Sequence, residues 1–263
     1  MNNHSRQSRD ETARRASQVE EFKPIPIRRD SNLIGRVRFA LRLVVDLQLL
    51  TCIRFLRPHL QSMTGSVLDV GCGEMPFRGF LPTGHRYTGI DIAVAGDFGM
   101  RQHADIVAFD GLTIPFPDES FDHVLCTEVI EHAENPLALI SEMHRVLRHG
   151  GTLVVTVPFS ARVHHAPYDF HRFTRYRLSE MFSNFEDVAI EERGDDLAVI
   201  ANKLIVVCMR LAKSTRKSIW PLPFLILAGG AATLALAIAH LSLVTGLGSR
   251  ADPLGYGVFA RKV

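Results

Sequence analysis

A glycine-rich turn follows the first apolar strand of the chain. The stretch Val67–Pro76 reads VLDVGCGEMP, in which Gly71 and Gly73 stand on either side of one cysteine. Glycines at this spacing let the backbone turn sharply and let a ligand approach without a Cβ in the way. Plain tight turns share the pattern, so the turn alone indicates only a candidate binding site.

Two further predicted strands end in acidic residues. Asp91 lies near the end of the apolar run Tyr87–Ile92, and Asp110 follows the run Ile106–Phe109. The carboxyl ends of parallel strands meet at one edge of an open α/β sheet, where ligands bind. A carboxylate roughly 20 residues after the glycine turn is suited to bind ribose hydroxyls. Helix N-capping is the alternative role for Asp91, because aspartate is favoured at that position.

Four motifs in order resemble the class I S-adenosylmethionine-dependent methyltransferases, in their type-11-like branch. They read VLDVGCG, GIDI, D-x-x-x-IPFPDESFDHVLCTEVIEH and HRVLRHGGTLVVTVP, and the resemblance covers roughly 65 to 184. It implies S-adenosyl-L-methionine as cofactor and an α/β, Rossmann-like, doubly wound fold. The sheet would be mostly parallel with an antiparallel last strand. The family often has a third glycine where Met75 stands, so the pocket here would have less room at that point.

The resemblance also implies which residues bind the cofactor. The glycine turn would shape the methionine end, and Glu128 would lie beside that end. Asp91 would bind the ribose hydroxyls and Asp110 the adenine amino group. The predicted cofactor-binding set is Asp69, Gly71, Cys72, Gly73, Asp91, Ile92, Asp110, Gly111 and Glu128.

The segment Pro158–Thr174, PFSARVHHAPYDFHRFT, concentrates histidine, aspartate and arginine after a central apolar strand. We expect it to contact the methyl acceptor. Methyl transfer needs an aligned nucleophile and, for a hydroxyl, a group that accepts its proton. An imidazole titrates near neutrality and suits that role. The structured set predicted in this segment is His164, Asp169 and Arg172.

Other roles stay open for the same residues. Asp169 and Arg172 could form a salt bridge that only fixes the loop, with the histidines on the surface. His132, in the VIEH turn, is a further candidate, with helix capping as its alternative role. The histidine spacing matches no familiar metal site, so no metal is predicted. The predicted catalytic residues are His164, His132 and Asp169.

Composition limits the class of protein. The 263 residues suffice for one α/β domain with appendages, and a net charge of +2 gives no reason to expect a nucleic-acid partner. Four scattered cysteines indicate reduced intracellular thiols without a disulfide framework. The first 30 residues lack the apolar core of a secretory signal, so we expect a cytoplasmic location.

The chain divides into five predicted regions. The region 31–64 is expected to be helical, broken near Pro58, either packed on the sheet edge or lying as a basic amphipathic helix on a membrane. The regions are a disordered tail (1–30), an N-terminal helix (31–64), a methyltransferase core (65–196), a hydrophobic helical insertion expected to associate with a membrane (197–250), and the last strand of the core (251–263).

The insertion contains a long apolar run. Ile219–Leu247 has no Asp, Glu, Lys or Arg and meets the length of roughly 20 residues that a membrane span requires. A single span would separate the last strand from its partner. A break at Gly229-Gly230 would instead make a hairpin that enters and leaves on one side. Basic residues on both flanks, among them Arg216 and Arg250, favour two cytoplasmic ends. Burial of the run in a dimer interface is the alternative.

These observations predict a membrane-associated, cytoplasmic methyltransferase that acts on oxygen or nitrogen of a small or lipid-linked acceptor. One alternative is a soluble small-molecule methyltransferase whose insertion dimerises. The other is a non-catalytic, membrane-bound scaffold with a vestigial cofactor site. Retention of Asp69, Asp91 and Asp110 argues against the scaffold, because a decaying site would lose charged ligands. The sequence leaves the oligomeric state open.

Overall fold

A seven-stranded sheet forms the centre of the computed structural model, which describes residues 24–28, 32–93, 96 and 103–263. The strand order is β3-β2-β1-β4-β5-β7-β6. Strands β1 to β5 run parallel, and β7 runs antiparallel between β5 and β6, which confirms the predicted Rossmann-like fold. The strands are β1 (Ser66–Val70), β2 (Arg86–Ile92), β3 (Ile106–Phe109), β4 (Phe121–Thr127), β5 (Leu147–Pro158), β6 (Glu186–Arg193) and β7 (Gly255–Arg261).

Helices cover both faces of the sheet. Consecutive strand residues point to opposite faces, so Val154 and Val155 of β5 belong to different halves of the core. Leu56 of helix α2 packs in the half with Val154, and Met143 of α3 packs in the half with Val155. The helices are α1 (Leu33–Val45), α2 (Leu47–Ser62), α3 (Pro136–Val146), α4 (Arg175–Met181), α5 (Asp196–Thr215) and α6 (Leu222–Thr245).

The N-terminal helical region is broken at Asp46, and the predicted break near Pro58 is wrong. Asp46 has φ −96° and ψ 82°, outside the helical region, so it ends α1. Its side chain accepts a hydrogen bond from Leu49 N and caps α2. Pro58 lies inside α2, which continues through it. Phe55, Leu56 and Leu60 on either side of Pro58 are buried in the core, and this packing holds the helix together through the proline.

The predicted disordered tail lies outside the described residues except at 24–28. These residues run extended, and Arg42 of α1 donates hydrogen bonds to Ile25 O and Pro26 O at 3.0 Å. Arg28 pairs with Glu74 at 2.9 Å, just beyond the glycine turn. This short stretch is therefore held against the domain, unlike the tail predicted for it.

Helices α5 and α6 form an antiparallel hairpin between β6 and β7. The chain turns between the two helices at 216–221, and α6 continues without a break through Gly229 and Gly230. The predicted break at these glycines is wrong, because each costs a helix only about 1 kcal/mol and apolar helix formers surround both. Among the described residues, α6 alone is long and apolar enough to cross a membrane. Its most apolar stretch has a mean hydropathy of 2.1, and only 11% of that stretch is buried in the protein.

The base of the hairpin is fixed to the core. Ser242 donates a hydrogen bond to Asp195 Oδ2 at 2.6 Å, and Gly248 N donates to Ser242 Oγ at 2.8 Å. Asp196 N donates to Ser249 O at 3.0 Å, so the two ends of the hairpin are joined directly. Both ends of the insertion therefore leave the core at one place, which removes the objection that the last strand would lie across a membrane.

Candidate active site

The glycine turn after β1 requires glycine for two reasons. Gly71 has φ +69° and Gly73 has φ +51°, in the left-handed region that other residues rarely adopt. A Cβ on Gly71 would also overlap Cγ2 of Val129, in the turn after β4. Gly71 N donates to Ile90 O at 2.8 Å, which ties the turn to the end of β2. The turn is thus packed between the ends of two neighbouring strands.

Asp91, at the end of β2, holds the glycine turn directly. Its Oδ2 accepts a hydrogen bond from Gly73 N at 2.7 Å, and its Oδ1 accepts one from Ile92 N at 2.7 Å. Burial raises the pKa of this carboxyl, although the two backbone donors oppose the shift. The carboxylate predicted to bind the ribose is therefore in direct contact with the glycine turn.

Asp110 lies at the neighbouring strand end, where it is exposed. Its Oδ1 accepts hydrogen bonds from Leu112 N at 2.8 Å and Thr113 N at 2.7 Å, and these two donors lower the pKa of the carboxyl. Gly111 follows with φ +83° and approaches Ile92, since a Cβ on it would lie 3.6 Å from Ile92 Cγ2. The predicted adenine side of the site is thus formed by the ends of β2 and β3.

Asp69 is a buried carboxyl beneath the turn. Its Oδ2 accepts a hydrogen bond from Tyr87 Oη at 2.6 Å, and its Oδ1 has no partner among the described residues. Burial raises the pKa of Asp69 to about 7, against the lowering effect of the Tyr87 hydrogen bond. Cys72 is also buried, and burial strongly raises the pKa of its thiol. Its sulfur packs so close to Gly89 that a Cβ at that position would lie 2.7 Å from Sγ. Cys72 therefore packs beneath the turn and is not a reactive thiolate.

Glu128 faces the same edge from the turn after β4. It adopts the left-handed region with φ +54°, and its Oε1 pairs with Arg193 Nη2 at 2.6 Å. Arg193 is buried at the end of β6 and also donates to Val157 O at 2.9 Å. This ion pair was not predicted, because only the antiparallel return of β6 beside β7 brings Arg193 to the cofactor edge.

A carboxylate–histidine cluster, formed by Glu131, His132, His164 and Asp169, lies beside this edge. The rings of His132 and His164 have centroids 4.8 Å apart. Phe170 N and His171 N donate to Glu131 O at 3.0 and 3.2 Å, which fixes the segment after β5 onto the turn after β4. The structure therefore brings the three predicted catalytic residues together.

Asp169 positions its neighbours. Its carboxylate accepts hydrogen bonds from Arg172 Nη2 at 2.7 Å and from His164 N at 3.0 Å, and its Oδ2 lies 3.2 Å from His164 Nδ1. Burial acts to raise the pKa of Asp169, but the Arg172 and His164 hydrogen bonds outweigh it and keep the pKa well below its usual range. A carboxylate so engaged is suited to orient His164 and is a poor proton acceptor.

His132 is largely buried and uncharged at neutral pH. Its Nδ1 lies 2.8 Å from Tyr168 O, which requires the proton on Nδ1. Burial and the neighbouring His164 lower the pKa of His132 to about 4. Its Nε2 therefore carries a lone pair.

Glu131 was quoted in the VIEH motif but not predicted as a site residue. It is fully buried, and neither carboxylate oxygen accepts a hydrogen bond from another described residue. Burial, reinforced by the nearby charge of Glu128, raises the pKa of Glu131 well above its usual value. The signal available in the sequence was an acidic residue next to the candidate His132.

Two surface depressions lie away from these residues. One of about 420 Å³ is bordered by Thr64 and Gly150, at the opposite edge of the sheet. Another of about 450 Å³ lies between α3 and α4. Neither is lined by the glycine turn or by the carboxylate–histidine cluster, whereas the convergent carboxylates lie at the carboxyl edge, where this fold binds ligands.

The fold and the carboxyl-edge residues are those of a class I S-adenosylmethionine-dependent methyltransferase domain that binds S-adenosyl-L-methionine, and the comparisons support this class for the part of the chain that they match. The sequence model of the family described as a methyltransferase domain matches residues 68–155. This range contains the glycine turn, Asp91, Asp110 and the turn after β4.

Individual relatives agree with this class over part of the chain. An uncharacterized methyltransferase of Mycobacterium avium is 35% identical, over 37% of this chain and 42% of its own length. A fatty-acid O-methyltransferase of Mycolicibacterium smegmatis is 31% identical, over 55% of this chain and 56% of its own. The crystal structure of an S-adenosylmethionine-dependent methyltransferase from Archaeoglobus fulgidus has a TM-score of 0.50 at 16% identity, and it covers 86% of this chain and 99% of that one. The matched part of the chain spans about half the length of the two mycobacterial relatives.

Proposed function

We propose that the protein transfers the methyl group of S-adenosyl-L-methionine to oxygen or nitrogen of a small or lipid-linked acceptor at the cytoplasmic face of a membrane. The observation that carries the proposal is the meeting of the glycine turn, Asp91 and Asp69 at one sheet edge. Asp91 uses one lone pair of each oxygen on backbone donors. Two further acceptor positions therefore serve ribose hydroxyls, because a carboxylate accepts about four hydrogen bonds.

The acceptor would bind at the carboxylate–histidine cluster. This cluster follows β4 and β5 directly and begins three residues after Glu128, beside which the methionine end is proposed to lie. Asp169 orients His164 through Nδ1, which leaves Nε2 able to accept a proton from a hydroxyl or an amine. His132 lies against His164 and would help to align the nucleophile.

Two apolar surfaces support membrane attachment. On α6 the side chains of Ile226, Leu227 and Leu234 are 68%, 74% and 64% exposed. On α1 Leu33 and Leu41 are 75% and 63% exposed. Exposed apolar surfaces of this extent mark interaction sites. Helix α6 is apolar all round and long enough to enter a membrane, and α1, with its arginines, is an amphipathic helix of the kind that lies in the membrane interface.

Hydrogen bonds join α6 to α1 and α2, so the two apolar surfaces are held next to each other. His240 Nε2 of α6 lies 2.8 Å from Val44 O of α1, and Arg54 of α2 donates to Leu243 O at 3.3 Å. At the turn of the hairpin, Trp220 is 70% exposed beside the basic residues Arg216 and Lys217. Tryptophan is favoured at membrane interfaces, and Lys and Arg are favoured on the cytoplasmic side, so the two basic residues support attachment from that side.

The fatty-acid O-methyltransferase relative supports an amphipathic acceptor. That enzyme is named for a lipid substrate, and its similarity to this chain extends over 160 residues. An enzyme held at a membrane by an apolar hairpin is well placed to receive such a molecule from the lipid phase. A carboxylate, a hydroxyl or an amine would each be a chemically suitable methyl acceptor.

Calorimetric titration of the full chain in mild detergent tests the cofactor part of the proposal. We expect S-adenosylmethionine and S-adenosylhomocysteine each to bind with micromolar dissociation constants. Micromolar binding would justify a search for methyl acceptors in lipid extracts, with labelled methyl groups as the readout. A folded sample that binds neither compound would contradict the proposal and favour the scaffold alternative.

Vesicle flotation without detergent tests the membrane part separately. We expect the protein to float with anionic vesicles and to be released less readily by salt than a purely electrostatic ligand. A protein that stays with the soluble fraction as a dimer in sedimentation would contradict membrane attachment. That result would assign the apolar hairpin to a dimer interface.

A further inference from the structure

We propose that Glu131, His132 and His164 bind one divalent transition-metal ion of the zinc type. One ligand atom from each side chain lies within 4.8 Å of the others. The inference concerns metal binding and does not depend on methyl transfer. No metal site was predicted from the sequence, because only the fold brings these side chains together.

The first argument is a buried carboxyl group without a hydrogen-bond partner. Glu131 has no exposed surface, and neither of its oxygens nor Nε2 of His132 has a hydrogen-bond partner among the described residues. Such a group is destabilising whether it is charged or neutral, because it loses its hydrogen bonds to water and gains none within the protein. Native proteins satisfy nearly all buried polar groups with protein partners, ordered water or a bound ion, and buried charges are paired or coordinate metals.

The second argument is the orientation of the two imidazoles. His132 Nδ1 lies 2.8 Å from Tyr168 O, and His164 Nδ1 lies 3.2 Å from Asp169 Oδ2. Acceptors at both Nδ1 atoms hold the protons there and leave lone pairs on Nε2. Carbonyl and carboxylate partners of this kind are what metal-bound histidines ordinarily have on the far ring nitrogen.

The third argument is the set of distances at the centre of the cluster. Glu131 Oε1 lies 3.6 Å from His132 Nε2 and 3.8 Å from His164 Nε2. These separations are too long for hydrogen bonds. They are close to the spacing of roughly 3.4 Å between ligands that each lie about 2.1 Å from a tetrahedral zinc ion.

Ligand type favours one class of metal. Arg172 pairs with Asp169 and Arg193 pairs with Glu128, whereas Glu131 has no arginine partner among the described residues. Two imidazoles and one carboxylate suit zinc and its transition-metal neighbours, whereas magnesium and calcium prefer oxygen ligands. Such an ion would act on the acceptor through its own charge, in place of proton transfer to a free His164.

Zinc and cobalt(II) titrations of the chelator-treated full chain test the inference. After equilibrium dialysis against zinc, we expect about one ion per chain by mass spectrometry of the metal. Bound cobalt(II) should show the intense visible d–d absorption of a four- or five-coordinate site, and added zinc should displace the cobalt. Magnesium should not compete at equal concentration.

Variants locate the site. Glu131→Gln keeps the side-chain volume and removes only the ionisable group, so it is expected to fold, and His164→Ala is the second variant. Each should weaken zinc binding by at least about tenfold. His149→Ala is the matched control, because exposed His149 also lies beside a glutamate, with 3.1 Å between its Nε2 and Glu119 Oε1. This control should bind zinc as the wild type does.

Three outcomes would overturn the inference: no metal bound by the wild type, full binding by both site variants, or equal loss in His149→Ala. S-adenosylmethionine titration of the same samples keeps the two proposals apart. Cofactor binding without metal binding would contradict only this inference. Metal binding without cofactor binding would contradict only the proposed function.

Discussion

Asp91 joins the glycine turn to the proposed ribose position, so its removal tests the cofactor site most directly. Asp91→Ala should reduce the affinity for S-adenosylmethionine at least tenfold, about 1.4 kcal/mol, because a hydrogen bond to a charged acceptor is lost. Calorimetric titration measures this change. Asp105→Ala, an exposed acid just before β3, should bind as the wild type does. Unchanged affinity in Asp91→Ala would remove Asp91 from the site.

His164 belongs to the acceptor side of the proposed site. His164→Ala should lower the rate of methyl transfer by about 10²-fold or more, the usual contribution of a positioned proton acceptor or an ion. The same variant should leave the affinity for S-adenosylmethionine unchanged in calorimetry. Equal losses in rate and in cofactor affinity would show that His164 only supports the structure.

Asp69 should make stability depend on pH. Its pKa is raised to about 7 in the folded protein, whereas an unfolded aspartate titrates near 3.9. Between these values the folded state binds more protons, so its free energy of unfolding falls as pH rises, by at most about 1.4 kcal/mol per pH unit. Asp69→Asn still accepts the Tyr87 hydrogen bond and should lose this contribution. Urea unfolding at pH 5 and pH 6.5 compares the two proteins, and parallel pH profiles would contradict the prediction.

Two requirements make Gly71 a glycine, its positive φ and its close approach to Val129, and substitutions can test them separately. Ala in the left-handed region costs about 1–2 kcal/mol, and Gly71→Ala should cost more because its Cβ also overlaps Val129. Gly84→Ala is the matched control, since Gly84 has φ +90° and open space around its Cα. Urea unfolding should rank Gly71→Ala as the less stable variant. Val129→Ala should recover part of the difference, and no recovery would refute the overlap.

The elements that the sequence predicted best are those with a local signal. The apolar runs, the glycine turn and the acidic strand ends all follow from residues close in the chain, so the parallel core and the last strand were predicted correctly. The break at Asp46 was missed, because its capping of α2 competed with the more conspicuous Pro58. The continuity of α6 was missed as well, since the cost of two glycines is small beside the helix formers around them.

The site was predictable only in part for a physical reason. Asp91 and the glycine turn meet because parallel strands align their ends, which a sequence pattern reveals. The approach of Arg193 to Glu128 depends on the return of β6 beside β7, and that of His164 to Glu131 depends on how the segment after β5 folds over the edge. Residues tens of positions apart are joined there without any periodic signal. The motif that contains Glu131 likewise gives no sign that this side chain is buried without a hydrogen-bond partner.

At the scale of the whole molecule, the apolar face of α6 should decide where the protein resides. Leu227→Glu and Leu234→Glu together place two carboxylates on one helix face, and each costs on the order of 3 kcal/mol within a membrane. Flotation with anionic vesicles should fall at least tenfold, with cofactor affinity unchanged. Tyr176→Glu, at a side chain 84% exposed on α4, is the control and should float normally. Normal flotation of the double variant would contradict attachment through α6.

The position of β7 has a consequence for how the protein is made. Strand β6 joins the sheet only through β7, which pairs with β5 on its other side. Both helices of the hairpin are synthesised before β7, so the ribosome releases the most apolar helix while the sheet is still open. Domains begin to fold during synthesis, and pairing between distant strands is slow. The hairpin thus meets the surroundings of the nascent chain before β7 closes the sheet.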